Sequence, residues 1–373
     1  MGERYAVRGT GEVRRLAVLA LTPGGEALAG RLAAAWNEEG GSARVHCATS
    51  PLGALVGSLW DRYEGFVFIM AVGIVVRVLA PLLAGKWRDP AVVVVDEGGR
   101  FAISLVGGHW GGANNLARRV AGLLGAVPVV TTATDIRGKA AVDLLARRWG
   151  FLPVPREPVK AANRALLEGK PVIVYTDWEP PLGREEFPGL EIQPLRAHRD
   201  LAQGSPADPV PFSVYATSRK VSHFPPAGCY LCPPSLAAGI GCRRGVPSGE
   251  IMDALAEACS RAGRHPGSLG VLATHAAKVN EKGLREAARN LGLPLHFFTS
   301  SLLRGILEGR PGLKDSEFVR RQMGVGNVCE TAALAAVPEG VLVLPKLKLG
   351  KVTVALAEAC LLWSASGRAI RRI

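Results

Sequence analysis

Short, uninterrupted apolar runs constrain this chain more than any other feature. FVFIM (66–70), AVVVV (91–95) and FAISLV (101–106) are too short for buried helices and lack the in–out alternation of a half-solvated sheet. Strands covered on both faces have this composition, and they belong to mainly parallel sheets with helices above and below. The segments between the runs have helical spacing. Residues 1–135 therefore read as strand 16–21, helix 26–38, strand 66–70, helix 74–83, strands 91–95 and 101–106, helix 115–124 and strand 127–131. DEGGR (96–100) reads as a hairpin turn between two of these strands.

A second domain is expected over 136–235. It has helical patterns at 139–149 and 159–167 and a strand at 171–175, and then loops and edge strands, because 179–236 holds 11 of the 26 prolines. Residues 236–373 again alternate: strand 236–241, helix 249–261, strand 268–274, helix 280–291, strand 295–298, helix 328–336, and strands 341–344 and 352–357 around a basic turn at 346–351. The fold class that follows is α/β, with a mainly parallel Rossmann-like N-terminal domain, a smaller α/β middle domain and a separate α/β C-terminal domain.

A net charge of +13 points to an anionic partner. The basic residues are dispersed and only 6% of residues are aromatic, which opposes nucleic acid as that partner. Phe66 to Ala84 is almost wholly apolar, but Gly73, Arg77 and Pro81 interrupt it, so no membrane span is expected. Seven cysteines, without a signal-peptide pattern, fit a cytoplasmic location. Cys229, Cys232 and Cys242, near His223, resemble a zinc set. Residues three apart on a strand face opposite ways, however, so no metal site is expected. HExxH, Walker A and GxSxG motifs are absent.

Three glycine-rich turns can carry chemistry. Gly107 to Asn114 (GGHWGGAN) follows a strand and opens a helix; either its amides and His109 serve an anionic or oxyanionic group, or its glycines only permit tight packing. Gly73 precedes Arg77, which either clamps a carboxylate or snorkels to water. Gly241, Arg243 and Arg244 in GIGCRRG form a doubly basic turn suited to a carboxylate or phosphate, or a plain solvated loop.

The segments AVGIVVRVLAPLL, DPAVVVVDEGGRFAISLVGGHWGGANNLARRVA, VPVVTTATD, GIGCRRG, LATHAAKVNEKGL and LPKLKLGKVTVALA, in this order, resemble the CbiG family of cobalamin biosynthesis, the cobalt-precorrin-5A hydrolases. The resemblance implies opening of a δ-lactone on a cobalt-tetrapyrrole and release of acetaldehyde. It implies no cofactor, since the substrate carries the cobalt, and transient contact with pathway methyltransferases. The alternative is a non-catalytic corrinoid carrier. The motif matches add Gly108, Gly111, Gly112, Thr131, Thr132, Thr274, Lys278 and Lys346 as substrate-binding candidates, with Trp110 as a surface for the ring. No catalytic role follows from the matches; by residue chemistry His109, Asn114, Asp135 and Glu330 are the candidates, His109 as general base and Asn114 orienting water or the lactone carbonyl.

Overall fold

The computed structural model describes residues 13–47, 51–132, 141–178, 187, 189–196, 212–221, 228–363 and 369–371. Two compact units divide at Arg147/Arg148.

The first unit is built on a six-stranded sheet of order β2-β1-β3-β4-β5-β6. Its strands are β1 (Arg15–Ala20), β2 (Ser42–Cys47), β3 (Gly65–Ile69), β4 (Ala91–Val95), β5 (Phe101–Val106) and β6 (Val127–Val129). β1 to β4 run parallel, β5 pairs antiparallel with β4, and β6 follows β5 in parallel. Alternate residues of the same strand enter opposite cores. Val67, Ile69, Val93 and Val95 pack with Leu32 and Trp36 of helix Pro23–Glu38 and Leu116 and Val120 of helix Ala113–Leu124. Phe66, Phe68, Val92 and Val94 pack with Val56 and Leu59 of helix Leu52–Leu59 and Val75 and Leu79 of helix Val72–Leu79. Burial on both faces is the physical reason for the continuous apolar runs.

The second unit holds two five-stranded sheets. β7 (Leu152–Val154), β8 (Val172–Thr176), β9 (Leu190–Pro194), β10 (Phe212–Ala216) and β11 (Cys229–Cys232) lie in the order β7-β11-β10-β8-β9. Cys229 and Cys232 both sit in β11. The Cys232 thiol meets His265 Nδ1 at 3.2 Å, and burial pushes the Cys229 thiol up to about 12.

The other sheet, β14-β13-β12-β16-β15, is made of β12 (Leu236–Cys242), β13 (Leu269–His275), β14 (Leu295–Phe298), β15 (Val341–Leu349) and β16 (Val352–Glu358). Helices Ser248–Arg261 and Lys282–Leu291 cover one face, and helix Cys329–Ala335 lies on the other. The expected basic turn at 346–351 is mostly strand. β15 passes through register shifts between Leu342 and Leu347 and pairs with β16 as far as Leu349, so the reversal is confined to Gly350 and Lys351. Leu347 and Leu349 supply the burial that keeps this lysine-rich segment extended.

Gly239 lets helix Cys329–Ala335 lie against β12, since a Cβ there would stand 1.8 Å from the Cys329 carbonyl oxygen and 2.7 Å from the Ala333 amide. Backbone cannot yield as a side-chain tip can. Gly239→Ala should therefore cost about 1–3 kcal/mol or more. Urea unfolding measures it, and a loss below about 0.5 kcal/mol, the size of an ordinary surface substitution, would show that the helix shifts freely.

Candidate functional site

The reversal between β4 and β5 separates residues that the sequence motifs suggest together. The turn at Ala71 to Gly73 lies where parallel β1, β3 and β4 end. β5 runs the other way, so Gly107 to Asn114 lies where β3 and β4 begin. Arg77 donates to the Gly73 carbonyl at 3.0 Å, one turn back on its own helix, and stays exposed. Gly73 and Arg77 therefore do not share a site with His109.

The loop from Gly107 to Gly112 is tightly folded. A Cβ on Gly107 would meet the Pro90 carbonyl at 2.7 Å, and one on Gly111 the Gly107 carbonyl at 2.8 Å. The amides of Ala113 and Asn114 donate back to Gly107 and Gly108, so part of the helix N-terminus is closed by the loop itself. Asn114 is buried. Its Oδ1 accepts from Ser104 Oγ at 2.7 Å and its Nδ2 donates to Thr132 Oγ1 at 2.8 Å, which makes it a brace between β5 and the strand end after β6 rather than a group aimed at water. Thr132 is thus a partner of Asn114, while Thr131 is exposed.

Trp110 is 7% exposed and packs edge-on against Trp87, with ring centroids 5.0 Å apart. Trp87 is half-buried, with the Lys86 ammonium 4.4 Å from its ring. Helix Val142–Trp149 reaches the same loop. The His109 ring nitrogen Nδ1 lies 3.5 Å from an oxygen of buried Asp143, Lys86 Nζ lies 3.7 Å from the other oxygen, and Arg147 donates to the His109 carbonyl at 3.1 Å. Sequence reasoning missed Asp143, Arg147, Lys86 and Trp87. Asp143 and Arg147 are one helical turn apart in a segment read as the next domain, and only packing shows which way they face. Asp135 lies outside the described residues.

A second cluster forms where β12 and β13 end and β16 begins. The Gly245 amide donates to Glu281 at 3.1 Å and, with Lys278 at 3.4 Å, holds the Glu281 carboxyl below the usual carboxylate range. The Arg243 amide donates to the Lys351 carbonyl, which brings the GIGCRRG turn beside the β15–β16 reversal. Arg243, Arg244, Lys346, Lys348 and Lys351 are exposed and form no ion pair among the described residues.

Two expectations are corrected in this cluster. Thr274 is fully buried and donates to the Ile240 carbonyl at 2.7 Å, tying β13 to β12 instead of facing a ligand. Glu330 is buried, accepting the Lys346 amide at 2.7 Å and the Asn327 side-chain amide. Its carboxylate brackets β15 against helix Cys329–Ala335 and is not presented as a base. Gly241 has a steric reason: a Cβ would meet Thr353 Oγ1 at 2.5 Å and Cys329 Sγ at 3.1 Å.

The fold is that of an α/β protein with tightly packed glycine loops and a cluster of exposed cations, and its domain matches specify the pathway. Cobalamin synthesis G N-terminal matches residues 54–135, Cobalamin biosynthesis central region 140–233, and Cobalamin synthesis G C-terminus 236–357. The chain is 35% identical over 358 residues to the cobalt-precorrin-5A hydrolase of Salmonella typhimurium, covering 92% of this chain and 97% of that protein. It is 31% identical to that of Priestia megaterium, over 81% of this chain and 80% of the relative. A solved cobalamin biosynthesis protein G homolog from Sulfolobus solfataricus is similar at 20% identity and TM-score 0.40, covering 92% of this chain and 97% of that one. The chain belongs to the CbiG family, that of the cobalt-precorrin-5A hydrolases.

Close to the second cluster, His275 accepts the Ala277 amide at Nδ1 (3.0 Å), and its Nε2 lies 2.8 Å from Ser300 Oγ, which donates to the Met323 carbonyl. This pattern fits a neutral ring with its proton on Nε2, and burial holds its pKa below the ordinary 6.5. The unfolded chain takes up a proton as pH falls through 6.5 while the folded ring does not. The contribution of His275 to stability is therefore complete above pH 6.5 and is lost progressively below it. Unfolding titrations on both sides of pH 6.5 should show a smaller acid-side loss for His275→Gln than for wild type. Equal losses would refute the assignment.

Proposed function

We infer that the chain hydrolyses cobalt-precorrin-5A, opening the δ-lactone of the macrocycle and releasing acetaldehyde to give cobalt-precorrin-5B. The observation that carries this reading is a 35% identity to a cobalt-precorrin-5A hydrolase that covers 97% of the relative, so the likeness includes all three modules. The substrate bears many acetate and propionate groups. The exposed Arg243, Arg244, Lys346, Lys348 and Lys351 suit such a periphery, Arg through paired N–H donors and Lys as point charges.

Lactone opening needs a base, donors for the oxyanion and a partly enclosed site. His109, with 14% of its side chain exposed on the loop that also carries Gly111 and Gly112, is the base in this reading. The ring takes a proton from water as the water oxygen bonds to the lactone carbonyl carbon. The carbonyl electrons move to oxygen, held by the Gly111 and Gly112 amides, and collapse of the adduct breaks the ester C–O bond, giving a carboxylate and an alcohol. Once that alcohol gives up its O–H proton, its carbon–carbon bond can break. The electron pair passes to the macrocycle and acetaldehyde leaves.

Incubation with cobalt-precorrin-5A and an acetaldehyde assay tests the activity. His109→Ala should lower turnover by about 10²–10⁴ with little change in KM. Near wild-type release by this variant would move the base elsewhere and leave the activity itself standing. Arg243→Ala with Arg244→Ala should instead raise KM, and rising salt should weaken wild-type binding, because exposed charges are screened over about 8 Å at physiological ionic strength. A KM indifferent to both would remove the carboxylate role of this rim.

A further inference from the structure

Helix Val142–Trp149 grips the Gly107 to Asn114 loop at two points one turn apart. Arg147 fixes the His109 backbone through its carbonyl, and Gly112, at φ 89°, leaves the space the guanidinium fills; a Cβ there would stand 2.0 Å from Arg147 Nη2. Asp143 meets the His109 side chain itself. Its carboxyl is 4% exposed, with one oxygen 3.5 Å from His109 Nδ1 and the other 3.7 Å from Lys86 Nζ. A carboxylate so buried requires compensation. Of these two neighbours, Lys86 is 41% exposed on a flexible stem, so water competes for its charge, whereas only 14% of the His109 side chain is exposed.

We propose that Asp143 is the positioning residue for His109: its carboxylate faces Nδ1, keeps the ring proton on that side so that Nε2 is the basic nitrogen, and stabilises the imidazolium formed when Nε2 takes the proton of the attacking water. Arg147 sets the height of the loop and Asp143 the orientation of the ring. The proposal rests on the reading of His109 as base.

Two measurements test it. In wild-type protein labelled with ¹⁵N-histidine, the neutral His109 ring should carry its proton on Nδ1; a proton on Nε2 overturns the proposal without any variant. In acetaldehyde-release kinetics, the near-isosteric Asp143→Asn should lower kcat by about tenfold or more at a KM within about twofold of wild type, Asp143→Glu should recover part of the loss, and Asp143→Asn should add little to His109→Ala because the two act as a unit. A kcat for Asp143→Asn close to wild type, or a loss that multiplies with that of His109→Ala, overturns the proposal and leaves His109 as base. A His109→Ala variant with normal turnover overturns both.

Discussion

One oxygen of Asp96 accepts the amides of Arg100 at 2.8 Å and Phe101 at 2.7 Å, and with Gly99 at φ 67° these bonds close the turn that reverses the chain between β4 and β5. Every connection before this turn carries the chain over a face of the sheet and back into parallel register. After it, the strand runs the other way. The next loop, with its histidine and four glycines, is thereby delivered to the end of the sheet where β3 and β4 begin, against Asp89, Pro90 and the Lys86–Trp87 segment. A parallel crossover would have sent it to the end occupied by Ala71 to Gly73.

Both clusters follow the same economy of buried polar groups. Asn114 spends its side chain on Ser104 and Thr132, Thr274 on Ile240, and Glu330 on Lys346 and Asn327. Polar groups taken out of water must be matched, and these residues, chosen for their chemistry, prove to be matched internally. The candidates not consumed in this way stand at the margin of burial: the His109 ring beside a buried carboxylate, and the Arg and Lys side chains around the ends of β12 and β15.

The two clusters differ in kind. In the first, the buried Asp143 carboxylate lies 3.5 Å from the His109 ring and 3.7 Å from the Lys86 ammonium, and burial strengthens electrostatic effects between such groups. The cations of the C-terminal cluster stand in solvent, where each acts weakly.

Much of this was legible in the sequence. Continuous apolar runs announced sheets covered on both faces, DEGGR announced the hairpin, Cys229 to Cys232 read as the strand it is, and the ordered motifs announced the family. Strand periodicity and turn chemistry are local, and a window of ten residues contains them. The lysine-rich segment at 346–349 was not legible as strand, because Leu347 and Leu349 reveal their inward face only once helices Ser248–Arg261 and Lys282–Leu291 supply a core. Nor were Asp143 and Arg147, since a residue's partner across 34 or 38 positions depends on how a helix is rotated against a loop. The sequence by itself determined the α/β architecture and the family. Tertiary structure alone decided which candidates are buried braces, which stand at opposite ends of the same sheet, and which carboxylate faces the histidine, because direction, burial and distance are properties of packing rather than of residue order.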